Sequence, residues 1–280
     1  MPLPETPMPR HTKRPAELHS VFERAFHEQR RALLGWLGGL AGIAVMMLAI
    51  YPTVRDNPQM SKLIESYPKA LRTMFGISDY TSGAGYLRAE VFSLTAPLLV
   101  VVFAILWGGD AIAGEEDRRT IDLLLANPVS RRAILLQKWA AVMLGIAVVS
   151  CGLGLVLGLG APIVGLHVAW VSLASAVVAT TLLGMLYATL ALAVGAATGH
   201  RGLARGVVTL LAVAAYLVSS LAEMVRWLLP IRPLSPWYHA LGVDPMSSGF
   251  LPEHLVVLVA AILLTIAAAA VAFERRDLAV

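Results

Sequence analysis

The sequence predicts an all-α membrane protein of six transmembrane helices, and three observations carry that prediction. Of its 280 residues, 58% are hydrophobic and 14% charged, whereas soluble domains average about 45–50% apolar and about 25% charged residues. Six apolar segments, at 33–51, 91–113, 139–160, 170–198, 207–229 and 255–273, reach the roughly 20 residues that a helix needs to cross a bilayer. The segments between them alternate in charge. Fifteen of the 22 Lys and Arg residues fall on the side that carries both termini and seven on the other. Positive charge marks the cytosolic side, so both termini are predicted to be cytosolic. The 52–90 loop, with Arg55, Lys62, Lys69, Arg72 and Arg88, is basic enough to blur the rule. A net charge of +4 would suggest nucleic acid in a soluble protein, but here the distribution matters more than the total.

Residues 1–15, with Pro2, Pro4, Pro7, Pro9 and Pro15, have a composition that cannot bury a core and read as a flexible arm. Residues 16–280 read as a single transmembrane domain. Over 17–32 the apolar residues Leu18, Val21, Phe22, Ala25 and Phe26 face one way, while Glu17, His19, Glu23, Arg24, His27, Glu28, Arg30 and Arg31 face the other. That pattern predicts an amphipathic helix at the cytosolic interface. The first apolar run begins only near Leu33 and is long enough to span, so it reads as its own targeting signal rather than a cleaved peptide.

The first span carries Gly35, Gly38, Gly39 and Gly42, a small-xxx-small face that suits close helix approach. The polar 52–90 segment predicts a short external helix over Lys62 to Phe75. The second span ends in Trp107-Gly-Gly-Asp110, whose carboxylate near the boundary is a functional candidate. Cys151 in the third span is the single cysteine, which excludes an intramolecular disulfide, and it reads as a small buried hydrophobe. Gly154 and Gly158 predict packing. The short 161–169 connection makes the third and fourth spans neighbours. The fourth span is longer than a bilayer needs, so it must tilt, bend near Gly184 or project. Gly199 to Gly206 reads as a tight basic loop, a weaker second contact point for a partner. Glu223 and Arg226, three apart, read as a charge pair at the outer boundary. Beyond them Pro230, Pro233, Pro236, Pro245 and Pro252 punctuate a segment that is either a plain surface loop or a set of short helices dipping back. Glu274-Arg275-Arg276-Asp277 anchors the last span inside.

The densest charge between two spans is the run Gly114 to Lys138. Ile121, Leu124 and Leu125 fall at offsets zero, three and four and predict one apolar face of a short helix. Arg118 and Asp122 sit one turn apart on another face, beside Arg119. Asn127-Pro128 stops that helix, and Ser130 caps the next. The pattern A-G-E-E-x-x-x-T-x-x-L-L-L-x-x-P-x-S-R-x-x-I-L-L-x-K, at Ala113 to Lys138, resembles the loop after the second span in permeases of type-2 ATP-binding-cassette (ABC) exporters. The number and spacing of spans, the amphipathic lead-in helix and the Arg-Arg-Asp-Leu ending agree with that family. The resemblance implies a cytosolic coupling helix that docks on a separate ABC ATPase subunit, two copies in the complex, through Ile121, Asp122, Leu124, Leu125, Arg118 and Arg119. It also implies a second permease copy or a close paralogue to enclose a pathway. Glu115 and Glu116, with Asp110 and the Glu223 and Arg226 pair, are the gate candidates. Membrane lipids are expected partners; nucleic acid, a cofactor and a metal are not.

Other functions fit less well. No Gly-x-x-x-x-Gly-Lys-Ser/Thr occurs, so this chain does not hold ATP phosphates by the P-loop mechanism. The same absence suits an ion- or proton-coupled secondary transporter or a channel, but those usually need carboxylates or histidines deep in the bundle, and only Asp110 and Glu223 come near. A glutamate-type membrane protease would need Arg four residues after the Glu-Glu pair, where Thr120 stands. No His-x-x-x-His pair sits in a span to bind a catalytic metal, so no catalytic residue is expected.

Overall fold

The computed structural model describes residues 21–57, 59, 66–68, 80, 82–117 and 130–276. The predicted arm and the apolar face at Ile121, Leu124 and Leu125 lie outside them, and of the predicted Lys62 to Phe75 helix only 66–68 are described, with Ser66 helical and Tyr67 and Pro68 not. The protein is all-α, and among the described residues six helices are long and apolar enough to cross a membrane. They are α1 (Val21–Arg55), α2 (Gly83–Ala111), α3 (Arg131–Gly160), α4 (Trp170–Thr198), α5 (Arg201–Leu221) and α6 (Pro252–Arg275). No break separates the predicted lead-in segment from the first span: α1 runs through both. Phe26, on its early apolar face, packs against Trp107 at 6.4 Å between ring centroids, while Glu23, His27, Arg30 and Arg31 stay exposed.

The bundle is organised on α4, which touches α2, α3, α5 and α6. Lipid tails are as apolar as leucine, so helix association in a bilayer depends on close van der Waals fit rather than on a hydrophobic drive between spans. The sequence supplies that fit with glycines. At Gly108 of α2 an added Cβ would stand 2.2 Å from the Ala188 carbonyl oxygen of α4. Gly184 lets α4 accept Val100 and Ile146, and α4 runs unbroken through that position. The predicted packing role of Gly154 and Gly158 is met by Val177, and by Trp170 with Leu173, all on α4. The first-span glycines behave differently: a Cβ at Gly35, Gly38, Gly39 or Gly42 would meet nothing within 4 Å. α1 packs on α3 through another face, where Leu33, Leu40, Ala44 and Leu48 are buried.

Cys151 is exposed on the outside of α3, not buried. An apolar helix that spans a bilayer has no need to hide a thiol from lipid, so hydrophobicity alone did not place it. The turn after α3 ends in left-handed Gly165, φ 68°, and returns the chain directly into α4. At this end Tyr51, Tyr80 and Tyr86 form an aromatic brace between α1 and α2. Tyr86 donates to the Met47 carbonyl at 2.8 Å and Tyr80 to the Glu90 carboxylate. Burial, and then that hydrogen bond, push the Tyr80 phenol well above its ordinary range, so it remains a donor.

α5 starts at Arg201, not at 207, and stops at Leu221, short of 229. The predicted basic loop is therefore only Gly199-His200, and Arg201 and Arg205 lie in the first two turns of a helix. After Leu221, short 3-10 turns at Arg226–Leu228 and Arg232–Leu234, a π-turn at Tyr238–Gly242 and one helical turn at Pro245–Ser248 carry the chain to α6. Prolines that remove backbone donors keep each piece short. This segment folds back against α5: the Trp237 indole donates to the Ala212 carbonyl at 3.1 Å and the Ser235 hydroxyl to Ala215 at 2.7 Å. Ala212 lies nine residues before the end of α5, which is about 14 Å along a helix. The plain surface loop is thereby excluded.

Candidate coupling and gating site

The charge that the sequence concentrates before the 118–129 segment gathers into a network joining five elements at one end of the bundle. α2 ends at Ala111, and after Ile112 one more turn, Ala113–Asp117, carries three carboxylates in a row. Each takes a partner from a different direction.

Glu115 points inward. It is 8% exposed, and its Oε1 accepts from Nζ of Lys138, 5% exposed, at 2.7 Å. Lys138 stands in the third turn of α3, flanked by Leu135, Leu136, Ala140 and Ala141, so both charges are withdrawn from water. Burying either alone would be costly, and together their charges and hydrogen bond offset much of the desolvation. A cavity of about 20 Å³ borders the pair, between Gln29 of α1, Trp107 and Asp110.

Glu116 turns the other way and meets Arg276, just past α6, in a two-pronged contact of 2.9 and 2.7 Å. The same guanidinium donates to the Ala196 carbonyl of α4 at 3.1 Å, and the Arg276 carbonyl accepts from Arg131 of α3 at 2.8 Å. Gly199, φ 71°, makes this convergence possible. A Cβ there would sit 2.1 Å from Arg276 Nη2 and 2.2 Å from Glu116 Oε2, and the left-handed backbone excludes most side chains in any case.

Asp110 and Asp117 face the start of α5. Cations in the first turns of a helix oppose its dipole, and the two aspartates compensate. Arg205 lies 3.1 Å and Arg201 3.6 Å from Asp110 Oδ1, and Arg201 lies 3.1 Å from Asp117. Asp110 Oδ1 and Arg205 Nε have no hydrogen-bond partner, so the contact between these side chains is an ion pair of poor alignment rather than a directed bond. Gly109 provides the room: a Cβ would come within 3.0 Å of Arg205 Cγ.

Of the residues singled out from the sequence, Asp110, Glu115 and Glu116 are thus brought together. Arg118, Arg119, Ile121, Asp122, Leu124 and Leu125 lie outside the described residues. Glu223 and Arg226 sit at the opposite end, and Glu223 pairs with Arg232 at 3.1 Å rather than with Arg226. α5 has already ended, so their spacing of three no longer sets a shared helical face. Sequence reasoning missed Lys138, Arg201, Arg205 and Arg276 as the partners. Lys138 had a signal, a lone cation in an apolar run, which in a membrane demands a counter-charge. Arg276 had none pointing 160 residues back to Glu116.

A comparison with curated proteins finds no match. The family model described as ABC-2 family transporter protein matches residues 19–278, which takes in all six spanning helices and the whole charged network. With its all-helical membrane fold and this match over nearly its full length, the chain belongs to the ABC-2 transporter family and is a multi-pass ABC permease.

Proposed function

We propose that the chain is the transmembrane subunit of an ATP-driven exporter. It forms the substrate pathway as a dimer, and two copies of a separate ATPase subunit drive it through the 114–138 loop. The network end is cytosolic, with both termini, in the cell membrane. One observation carries this reading. The two roots of the loop, Glu115 to Asp117 on one side and Arg131 and Lys138 on the other, are the residues tied to α3, α4, α5 and the end of α6. A force applied to the loop is therefore delivered to most of the bundle at once. Carboxylates that each hold a different helix can exchange partners when that end moves, which is what a gate requires.

The open glycine face of α1 supports the dimer, because a small-xxx-small face left uncovered inside one chain suits a second helix brought from outside. The docking role of Ile121, Leu124 and Leu125 rests on their spacing and on the family. Leu124→Asp would place a carboxylate in an apolar contact at a cost of several kcal/mol, enough to abolish micromolar binding. Co-purification tests it: the variant should reach the membrane as a monodisperse dimer but without its ATPase. A well-folded variant that retains the full complement of ATPase refutes the assignment.

A further inference from the structure

At the end of the bundle away from the charged network, two of the chain's seven histidines meet. His239 lies in the π-turn Tyr238–Gly242 and His254 in the first turn of α6. Their Nδ1 atoms stand 2.9 Å apart and their ring centroids 5.1 Å apart. The second nitrogen of His239, Nε2, lies 2.7 Å from the Pro233 carbonyl oxygen. A carbonyl can only accept, so Nε2 carries a hydrogen, and in a neutral ring that leaves Nδ1 bare. The hydrogen between the two rings therefore belongs to His254, which donates. This bond ties the folded-back segment to α6 across the turn at Pro245–Ser248 and left-handed Gly249, φ 72°.

The tautomers so fixed decide how many protons the contact tolerates. A first added proton goes to Nε2 of His254, and the bond persists, now donated by an imidazolium and stronger for the charge. A second has only Nδ1 of His239 to occupy, the atom that accepts the bond. Two N–H groups on two cations would then point at each other across 2.9 Å, and the contact must break. The surroundings offer that second charge no counter-ion. A cavity of about 10 Å³ borders both rings, walled by Ser175, Val243, Phe250 and Leu255, and no carboxylate lines it. Tyr238 meets both imidazoles edge to face, at 5.3 and 5.6 Å, and its ring already carries the Arg232 guanidinium at 5.0 Å. Of the helices packed on the π-turn, α4 bears no charged residue, and its Tyr187, like Tyr216 of α5, turns to Trp237. Glu223 is paired with Arg232 and Asp244 with Arg88, while Glu253 stands exposed beside His254, the ring that takes the first proton. A cation in the first turn of α6 also opposes the helix dipole.

We infer that the His239–His254 pair is a proton-operated latch, closed while the two rings share a hydrogen and opened once both are charged. Histidine is the side chain that ordinarily changes charge between about pH 5 and 8, and a pair that must be charged twice reaches that state only at the acid limit of the range. The closed latch binds fewer protons than the open one, so its stability is present at neutral pH and is lost as pH falls. Opening frees the first turn of α6 from the folded-back segment, which stays on α5 through Trp237 and Ser235. On the permease reading this end faces out, so acid outside loosens the exit. The latch itself does not depend on that reading.

The test uses the full chain with Leu234→Cys and Val256→Cys in a Cys151→Ser background, spin-labelled at both sites and held in nanodiscs with a chelator and no ATPase or nucleotide. Leu234 and Val256 are 82% and 63% exposed and lie on the two sides of the latch. Excess unlabelled chain ensures that only distances within one copy are read. Double electron–electron resonance should give one narrow distance at about pH 8 and about pH 6.5, and a second, longer population of at least about half the molecules at about pH 4. His254→Asn, whose amide donates or accepts at the position of Nδ1 and never becomes charged, should keep the narrow distance throughout. His254→Phe should show the longer population throughout. In isotope-labelled protein, a coupling between the two Nδ1 nuclei across the shared hydrogen should be present at about pH 6.5 and absent at about pH 4. An unchanged distance across the whole pH range in the parent, or acid opening retained in His254→Asn, overturns the proposal. So does a narrow distance that appears only when zinc replaces the chelator, since a metal rather than a hydrogen would then bridge the rings. Because the readout is a distance within the permease alone, failure here is separable from failure of the Leu124→Asp experiment.

Discussion

Replacing Lys138 with Met removes the cation 2.7 Å from a carboxylate that is itself only 8% exposed, and it keeps an unbranched side chain only one atom shorter. At an effective dielectric constant of about 20 the attraction lost is about 6 kcal/mol. Most of that attraction is offset in the native pair by desolvation of both groups. The relevant quantity is the asymmetry. Removing one partner of a buried pair costs about 3–5 kcal/mol, whereas replacing both with uncharged groups of similar volume is often near neutral. Lys138→Met should therefore be strongly destabilising and Glu115→Gln/Lys138→Met should recover most of the loss. At about 2–4 °C per kcal/mol for a chain of this order of size, the single change lowers Tm by roughly 6–20 °C. Thermal unfolding followed by size-exclusion chromatography in mild detergent reads both variants against the parent. Equal Tm for the single and double variants refutes the reasoning, because it means that the carboxylate left behind is not paying for its burial. If the pair is also a gate, the double variant is stable and binds ATPase but transports poorly; full transport would leave the pair a structural staple.

Further tests separate the roles of other residues. Arg276→Lys keeps the charge but cannot reproduce the planar two-pronged contact with Glu116, so it should lose about 1–3 kcal/mol, measured by the same thermal assay. Gly108→Ala forces a Cβ to within 2.2 Å of the Ala188 carbonyl and should cost about 1–3 kcal/mol through overpacking of α2 on α4; an unchanged Tm refutes that fit. A Cβ at Gly38 would meet nothing within 4 Å, so with Gly38→Ile the protomer should stay folded while mass measurement in mild detergent finds fewer dimers. Retention of the full dimer population would remove α1 from the interface.

The sequence by itself determined the membrane class and the number of spans, and it marked where charge gathers between two spans, because each is written in local composition. Twenty apolar residues span a bilayer wherever they occur. Carboxylates massed at Glu115 to Asp117 mark a boundary whatever they later touch. Gly154 and Gly158 announced packing through spacing alone. The partners were another matter. Glu116 finds Arg276 from 160 residues away, and Glu115 and Glu116, adjacent in the chain, point to different helices. Helical spacing suggested Glu223 with Arg226, but α5 ends at Leu221 and the fold-back turns bring Arg232 instead. Exposure misled in the same way for Cys151, which lies open on α3. Local pattern says which residues must be satisfied; only tertiary structure decides by whom. In a low-dielectric medium an unpaired charge cannot be left, so the fold selects its ion pairs by which helix ends converge, and that convergence is set by glycine contacts and helix lengths distributed over the whole chain.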